Sequence, residues 1–586
     1  MNADRASRPQ RISLPDFFGR KLTLPEGQES WRRAGEGEDA LVLGLGPGCP
    51  WQTSLAAGAR AVYWLEHEPT LQSLPALNER DGAGPPDHWK KVSQEEAVAL
   101  AAQCVCFFYG PGMRLAPDFW GPLLGRVDAA LLGAPELTKD NSPENSTALA
   151  PPDAANVDSP ACLASRKGRG ESRGFVLLPG HDGQLLHQEL VQALDSCGLH
   201  PVSAVPDAFQ AHVDVHAVWR DILRQGKPRL VLSVNLRGLD AEGRVFHLCQ
   251  GMGIPVALWL VDNPWHVLSA LRLPWWREAH IFVTDASFVP ELVAAGARHA
   301  HHMPLAVAPH MWRQAAPDFL AAPEPLFVGR SAFPEKERFF AAAKVPDGML
   351  AEALALLECD ETPARGPNYF WWQQMLGRAS WPDPAIRSAG LGAEACACAN
   401  RVRWLRTILE ERASSFAETN IDPGVSPSVN PNVGSVSVPT VELARPSMRI
   451  VGDAGWRELL PGANIQPPVD YYSALPGLYA QAAVVNVTSL LLPHSLSQRH
   501  FDVWAAGGLL FSDATPGLDL FPEDLAEAVR LDAPKDFWPR WDTVCSRPAY
   551  ARDLRLAWRE HLRGGHEYRH RVRRICELMG IAADGV

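Results

Sequence analysis

Short apolar runs recur along this chain, each followed by a glycine-rich or polar turn and then by apolar residues at helical spacing. The clearest case is Phe175-Val176-Leu177-Leu178, which leads through Pro179-Gly180-His181-Asp182-Gly183 into a stretch carrying Leu185, Leu186, Leu190, Val191 and Leu194 on one side. That pattern predicts a strand, a glycine loop and an amphipathic helix. Further runs at 230–234, 256–261, 281–283, 326–328, 449–451, 484–487 and 509–511 predict strands. Runs this apolar, alternating with helical segments, indicate an α/β fold whose parallel sheets are covered on both faces.

The N-terminal region has its own version. Leu41-Val42-Leu43 runs into Gly44-Leu45-Gly46-Pro47-Gly48, and a second strand at 61–65 ends at Glu66. Glycines after a first strand, with an acid closing the second, allow close backbone approach to a nucleotide and a carboxylate for its ribose. Gly44, Gly46, Gly48 and Glu66 are therefore candidate nucleotide-site residues in a Rossmann-like domain. The stretch resembles the first motif of S-adenosylmethionine-dependent methyltransferases, which would make S-adenosylmethionine its cofactor. Nothing downstream supplies a methyl-acceptor site.

Two stretches lack any apolar period. Residues 138–173 are rich in Pro, Ser, Asn, Ala and charge, and 413–446 mix Ser, Pro, Asn and Val irregularly. Neither can bury enough apolar surface to offset the entropy of ordering it. The first reads as a linker after an N-terminal domain at 1–137. The second reads as an insertion within the last domain, since strand and helix signals of the same kind resume beyond it. The expected domains are 1–137, 174–315 and 316–586.

Composition narrows the function. At 586 residues the chain is too long for one core. A formal net charge of -12 argues against broad nucleic-acid or anionic-membrane binding, while leaving room for a local basic cleft. No run of apolar residues is long enough to span a membrane, and the N-terminus has no signal-peptide core, so a cytoplasmic protein is expected. The pairs Cys104/Cys106 and Cys396/Cys398 have the wrong spacing for a zinc knuckle and read as reduced, packed thiols. His299-Ala300-His301-His302 lacks the carboxylate or thiol that a metal site would add, so no metal is expected.

The stretch at 494–508, His-Ser-Leu-Ser-Gln-Arg-His-Phe-Asp-Val-Trp-Ala-Ala-Gly-Gly, puts a polar loop before a helix that ends in a glycine pair and an apolar strand. In open α/β sheets such a loop is where phosphates sit, because unpaired N–H groups and the helix dipole favour anions. Arg499 is the expected cation for a diphosphate, since its planar fork can bind phosphate oxygens through two N–H groups. Ser497 and Gln498 add donors. Gly329 with Arg330, Gly452 with Asp453, and Asn486 with Thr488 follow other strands on the same sheet edge. His181, Asp182, Asp262 and Asp285 end strands further upstream, and of these Asp262 and His181 are the first candidates for a base.

Many of these pieces fall in a recognisable order. In the first half they are Leu232-Ser233-Val234-Asn235, Trp259-Leu260-Val261-Asp262-Asn263-Pro264, Ile281-Phe282-Val283-Thr284-Asp285 and His302-Met303-Pro304-Leu305-Ala306. In the second half they are Phe327-Val328-Gly329-Arg330, Val451-Gly452-Asp453, Tyr472 with Leu478-Tyr479, Val485-Asn486-Val487-Thr488, the 494–508 stretch, and His566-Glu567-Tyr568-Arg569-His570-Arg571. From about residue 173 onward the chain resembles the CgeB-like, spore-maturation type glycosyltransferases of bacteria, a branch of the GT-B superfamily.

The resemblance implies two Rossmann-like domains facing each other across a cleft, the acceptor mainly on the first and a nucleotide-sugar donor on the second. It implies sugar transfer to a protein, glycan or small-molecule acceptor; the absence of an Asp-x-Asp motif in a convincing loop adds the expectation that no metal or other cofactor is required. Related enzymes carry a pair of glutamates for donor sugar and ribose; here His494 and Asp502 stand at those positions. Asp502 can accept hydrogen bonds from a ribose diol, whereas His494 cannot reproduce a carboxylate. Two alternatives stay open: a catalytically inactive sugar-nucleotide-binding protein, and a bifunctional enzyme with an N-terminal methyltransferase-like domain.

Overall fold

The computed structural model describes residues 12–17, 19–25, 30–47, 55–74, 85–133, 174–203, 215–271, 273–313, 323–359, 362–419 and 446–582. The expected linker at 138–173 and most of the expected insertion at 413–446 lie outside the described residues. By internal contacts the chain divides into two compact units: Met1–His187, Leu199–Leu258 and Leu271–Ala279 form one, and Gln188–Gly198, Trp259–Ala270 and His280–Val586 the other. The N-terminal region thus groups with part of the α/β region that follows it.

In the first unit, Ser13–Pro15 (β1) pairs antiparallel with Lys21–Thr23 (β2). Trp31–Ala34 (β3), Asp39–Leu43 (β4), Val62–Leu65 (β5), Lys90–Lys91 (β6) and Cys104–Tyr109 (β7) form a sheet in the order β3-β7-β4-β5-β6, parallel apart from β3. Both faces of β4 are buried: Leu41 and Leu43 pack on one side, Ala40 and Val42 on the other. That is why the strand reads as a continuous apolar run instead of alternating. Phe175–Leu177 (β8) lies between His200–Val202 (β9) and Leu230–Val234 (β10), all parallel. Val256–Leu260 (β11) spans the division between the units.

A glycine pair joins the two parts of this unit. On helix Pro117–Gly133, a Cβ at Gly121 would lie 2.4 Å from the carbonyl oxygen of Glu242, and one at Gly125 would lie 2.6 Å from that of Arg244. The helix therefore meets helix Arg244–Gly251 backbone to backbone. Beside the contact, the fully buried Asp128 accepts from Arg220 Nη1 at 2.9 Å and Arg244 Nε at 2.6 Å.

In the second unit, His280–Val283 (β12) and His299–His302 (β13) are parallel. The larger sheet contains Glu324–Val328 (β14), Arg449–Val451 (β15), Asn464–Gln466 (β16), Ala482–Asn486 (β17), Leu509–Asp513 (β18) and Arg530–Leu531 (β19). All six are parallel in the order β16-β15-β14-β17-β18-β19. The chain moves outward from β14 in one direction, then returns to its other side at β17. A crevice opens at such a reversal, outside the carboxyl ends of β14 and β17, and open α/β sheets bind ligands there.

The glycine pair after helix Arg499–Ala506 has two distinct causes. Gly507 caps the helix with φ +95°, a left-handed conformation that favours glycine, and a Cβ on Gly508 would lie 2.2 Å from the carbonyl oxygen of Tyr479. Trp504 on this helix stacks on Trp558 of helix Pro548–Gly565, centroids 4.8 Å apart, and Arg555 donates to the Gly507 carbonyl at 2.7 Å. The helix expected after β8 starts later than its apolar pattern suggests, at His187. Leu186, at φ +64°, is buried but lies before the helix, and Leu185 is 57% exposed, so the helix itself carries only Leu190 and Leu194 of the expected leucine stripe. No helix among the described residues is long and apolar enough to cross a membrane.

The Gly125 contact yields a prediction. Alanine favours a helix interior over glycine by about 1 kcal/mol, yet Gly125→Ala is expected to destabilise the protein by about 1 to 3 kcal/mol through overpacking. The urea-unfolding midpoint measures the net effect, and a rise in stability would refute the close approach.

Candidate functional site

The carboxyl ends of β14, β15, β17 and β18 form one edge, and the loops leaving it are tied to one another. Trp456 Nε1 donates to the Gly329 carbonyl at 2.9 Å, and a Cβ at Gly452 would come within 2.3 Å of that same oxygen. Asp453 accepts from Ser331 N at 2.8 Å, Ser331 Oγ at 2.6 Å and Gly455 N at 3.0 Å. Burial opposes ionisation of Asp453, but these hydrogen bonds prevail and hold its carboxyl below its ordinary range. Gly452 and Asp453 thus fix the loop that carries Gly329 and Arg330.

Arg499, half-buried at the start of its helix, reaches across the reversal point. Its Nη1 donates to the Val328 carbonyl at 2.6 Å, its Nε donates to Asn486 Oδ1 at 2.9 Å, and its guanidinium lies over the Phe327 ring. Nη2 makes no hydrogen bond among the described residues. Asn486 Oδ1 also accepts from Ser497 Oγ at 2.8 Å, and Asn486 Nδ2 donates to Ser512 Oγ. Ser512 Oγ lies 2.9 Å from His500 Nε2. Burial, with Arg499 beside it, lowers the His500 pKa to about 3, so the ring is neutral. Asp513 accepts from Thr488 N at 2.9 Å and Thr488 Oγ1 at 2.7 Å, and burial still raises its carboxyl to about 6.

The loop after β17 is held from two further sides. Asn263 caps helix Pro264–Leu268 by accepting from Trp265 N, and its Nδ2 donates to the Leu491 carbonyl at 3.0 Å. Tyr369 N donates to the Leu490 carbonyl at 2.8 Å, which gives the aromatic segment 369–372 a structural role beside its burial. Asp285, fully buried, accepts from Ser287 N and from His494 N, both at 2.9 Å. It caps a turn and anchors the backbone of the 494–508 stretch.

Together these elements enclose a cavity of about 350 Å³, within the range of small-molecule sites. Asp262, Asn263 and His266 contribute from the segment after β11; Gly329 and Arg330 from the loop after β14; Ser489, Leu491 and Leu492 from the loop after β17. Arg499, and Glu394 with Arg401 from helix Arg387–Thr419, complete the polar lining, and Phe333 and Phe339 add apolar surface. Glu394 accepts from Phe333 N at 2.7 Å and Arg401 Nη2 at 3.4 Å. His266 is buried with Nε2 unpartnered, and burial, then Arg387, lowers its pKa to about 3.

Of the residues singled out from the sequence, Asp262, Gly329, Arg330 and Arg499 line this cavity. Gly452, Asp453, Asn486, Thr488 and Ser497 hold its loops through the bonds described above. Asp502 and Gln498 lie in a separate network. Asp502 is 1% exposed and accepts from Ala308 N at 3.0 Å, Gln498 Nε2 at 2.9 Å and Tyr471 OH at 2.8 Å. Gln498 also donates to the Ala306 carbonyl and accepts from Tyr568 OH.

His181 lies in the first unit, exposed, with Nδ1 donating to the Asp182 carbonyl at 2.7 Å. In the N-terminal sheet, Glu66 accepts from Leu45 N at 2.6 Å and His67 N at 2.8 Å, so its carboxylate braces the turn of Gly44 and Gly46. Burial raises Glu66 to about 7. Gly44 and Gly46 both have positive φ and pack against Tyr109. Gly48 lies outside the described residues. Sequence reading missed Asn263, His266, Glu394 and Arg401 as lining residues. The one signal for the last two was an acid and a base two helical turns apart on an Ala- and Cys-rich helix.

Residues 438–577 match the family model for glycosyl transferase-like proteins. The chain therefore carries a glycosyltransferase-type domain that includes β15, β17, β18 and Arg499, while Asp262, Arg330, Glu394 and Arg401 lie outside the matched stretch. Among solved structures, the chain overlaps a glycosyltransferase from Rickettsia africae at 8% identity, covering 70% of this chain and 100% of that one with a TM-score of 0.38. It overlaps the T4 phage enzyme BGT, solved in complex with its UDP-glucose substrate, at 7% identity, covering 70% and 100% with a TM-score of 0.33. No curated protein matches the chain. Overlaps this loose leave the site to be argued from its own residues.

Asp502 provides a test of the second network. Burial lifts its carboxyl from 3.8 to about 7 against its three hydrogen bonds. Between those values the folded protein keeps a proton that the unfolded chain has released, so stability from this group is present at low pH and lost as pH rises towards 7. Asp502→Asn removes the effect. Thermal melts from pH 4 to pH 8 are expected to show the variant gaining on the wild type up to about pH 7, then a constant difference. A difference that does not change with pH rejects the assignment.

Proposed function

We propose that the chain is a glycosyltransferase that binds a nucleotide-sugar donor in the cavity beside Arg499 and passes the sugar to an acceptor hydroxyl. The observation that supports this reading is one cavity combining guanidinium groups at a parallel-sheet reversal point with the carboxylate of Asp262. The matched glycosyltransferase-type domain is consistent with it. The segment after β11, which carries Asp262, is the acceptor side of the reading, and the β14 and β17 loops are the donor side.

In this mechanism Asp262 takes the proton from the acceptor hydroxyl as its oxygen bonds to the anomeric carbon. The bond between that carbon and the donor phosphate oxygen breaks, and the electron pair leaves with the nucleoside diphosphate. Arg499 stabilises the developing charge through Nη2, since its other two nitrogens are already held by Asn486 and Val328. Fixed donors aimed at developing charge need little reorganisation during reaction. Arg330 supplies a second cation at the cavity, so the leaving group is neutralised without a divalent ion.

A thermal-shift screen against nucleoside diphosphates and their sugars, with and without EDTA, tests the donor reading. Stabilisation by at least one donor, insensitive to EDTA, is expected; none at all would sink it. Arg499→Ala should weaken the bound nucleotide by about 1 to 3 kcal/mol, the scale of a lost charge-assisted hydrogen bond. Asp262→Asn separates binding from chemistry. Turnover should fall about 10²- to 10⁴-fold, as for loss of a general base, with donor affinity retained; unchanged turnover would remove Asp262 from its role.

A further inference from the structure

We propose that Arg401, on helix Arg387–Thr419, reads the second phosphate of the bound nucleotide and so makes the cavity selective for nucleoside diphosphates over monophosphates. The proposal rests on the donor reading above. It assigns that selectivity to a helix outside the matched glycosyltransferase-type domain.

The geometry singles out this residue from the other two arginines of the cavity. Arg499 has Nη1 and Nε fixed on Val328 and Asn486, which leaves one nitrogen for a ligand. Arg330 is exposed, with the long flexible stem that makes such a side chain a weak discriminator. Arg401 is different: its side chain is 14% exposed, its Nη2 donates to the Ser331 carbonyl at 3.1 Å, and its Nε is buried without a partner. Arg401 also lies close enough to Arg499 for the two like charges to disfavour each other, a repulsion that a phosphate between them would relieve.

The one carboxylate paired with Arg401 among the described residues is Glu394, at 3.4 Å, a long contact for a charge-assisted hydrogen bond. Glu394 is also occupied by Phe333 N at 2.7 Å. Both partners of Arg401, Ser331 and Glu394, bear on the loop after β14, which Asp453 holds through Ser331. The guanidinium is therefore placed by the loop that carries Gly329 and Arg330. One phosphate on Arg499 and the next on Arg401 gives each guanidinium a distinct charge to meet, and a monophosphate uses only one of them.

Isothermal titration of the full chain with ADP, GDP, UDP, CDP and TDP, each against its monophosphate, tests the proposal on wild type, Arg401→Gln, Arg401→Lys and Glu394→Gln. The wild type should prefer the diphosphate. Arg401→Gln should lose at least tenfold in diphosphate affinity while monophosphate affinity stays within about twofold, and Arg401→Lys should recover part of the loss through its charge. Glu394→Gln keeps an acceptor for Phe333 N but frees Arg401 from its competing charge, so diphosphate affinity should rise. Equal losses for both nucleotides in Arg401→Gln, or no loss, overturn the proposal while leaving the donor reading intact. Should Arg401→Gln fail to fold, a fall in diphosphate affinity in Glu394→Gln overturns it equally. A wild type that binds no nucleotide overturns both readings.

Discussion

The guanidinium of Arg499 is wedged between the last carbonyl of β14 and the side-chain oxygen of Asn486 at the end of β17. This one group spans the two strands between which the sheet reverses direction, and much of the surrounding polar structure serves to hold it there. Asn486 is itself oriented by Ser497 and Ser512, Ser512 by His500, and Thr488 beside it by Asp513. A half-satisfied buried network costs more than an apolar core, whereas a fully connected one fixes a single arrangement. The neutral state of His500 fits that scheme, since a second cation beside Arg499 would be repelled.

Glycines permit the close approaches on which the same edge depends. Gly452 lets the β15 loop touch the carbonyl of Gly329, and Gly508 lets the start of β18 pass the carbonyl of Tyr479. Neither contact leaves room for a Cβ, so these positions are decided by space. Gly507 is decided by conformation instead. The glycine pair after helix Arg499–Ala506, which in the sequence looks like a single turn signal, is two constraints that happen to be adjacent.

The strands read from the sequence were legible because they are largely buried on both faces, which turns an apolar pattern into a continuous run, whereas exposed or half-buried strands such as β6, β13 and β16 carry no such signal. Placement at strand ends was equally legible, and it brought Asp262, Gly329, Arg330 and Arg499 to one cavity. What the pattern does not carry is direction. Asp285 and Asp502 have the residue type and position of ligand groups, yet their carboxylates are filled by backbone and side-chain donors of the protein. Arg401 and Glu394 were missed for the opposite reason. Helix Arg387–Thr419 is so rich in Ala, Cys and Gly that no apolar stripe marks which side faces inward, and Gly390 packs a helix backbone directly against His266.

A simple criterion then separates residues that hold the site from those positioned to meet a ligand: whether their hydrogen-bonding capacity is already used. Asn486, Thr488, Ser497, Asp453 and Asp502 are engaged by the protein, and each acts through the loop it fixes. Three arginines line the cavity instead: Arg499 with Nη2 unused, Arg401, and the exposed Arg330 at its edge. A site whose spare capacity is almost all cationic and donating favours a ligand rich in anionic acceptors. The carboxylates that share it, Glu394 bound to Phe333 N and Asp262 on the segment after β11, keep that preference from being uniform. An anion that also presents a hydroxyl near Asp262 satisfies both halves of the lining, and a nucleotide-sugar beside an acceptor alcohol has that composition.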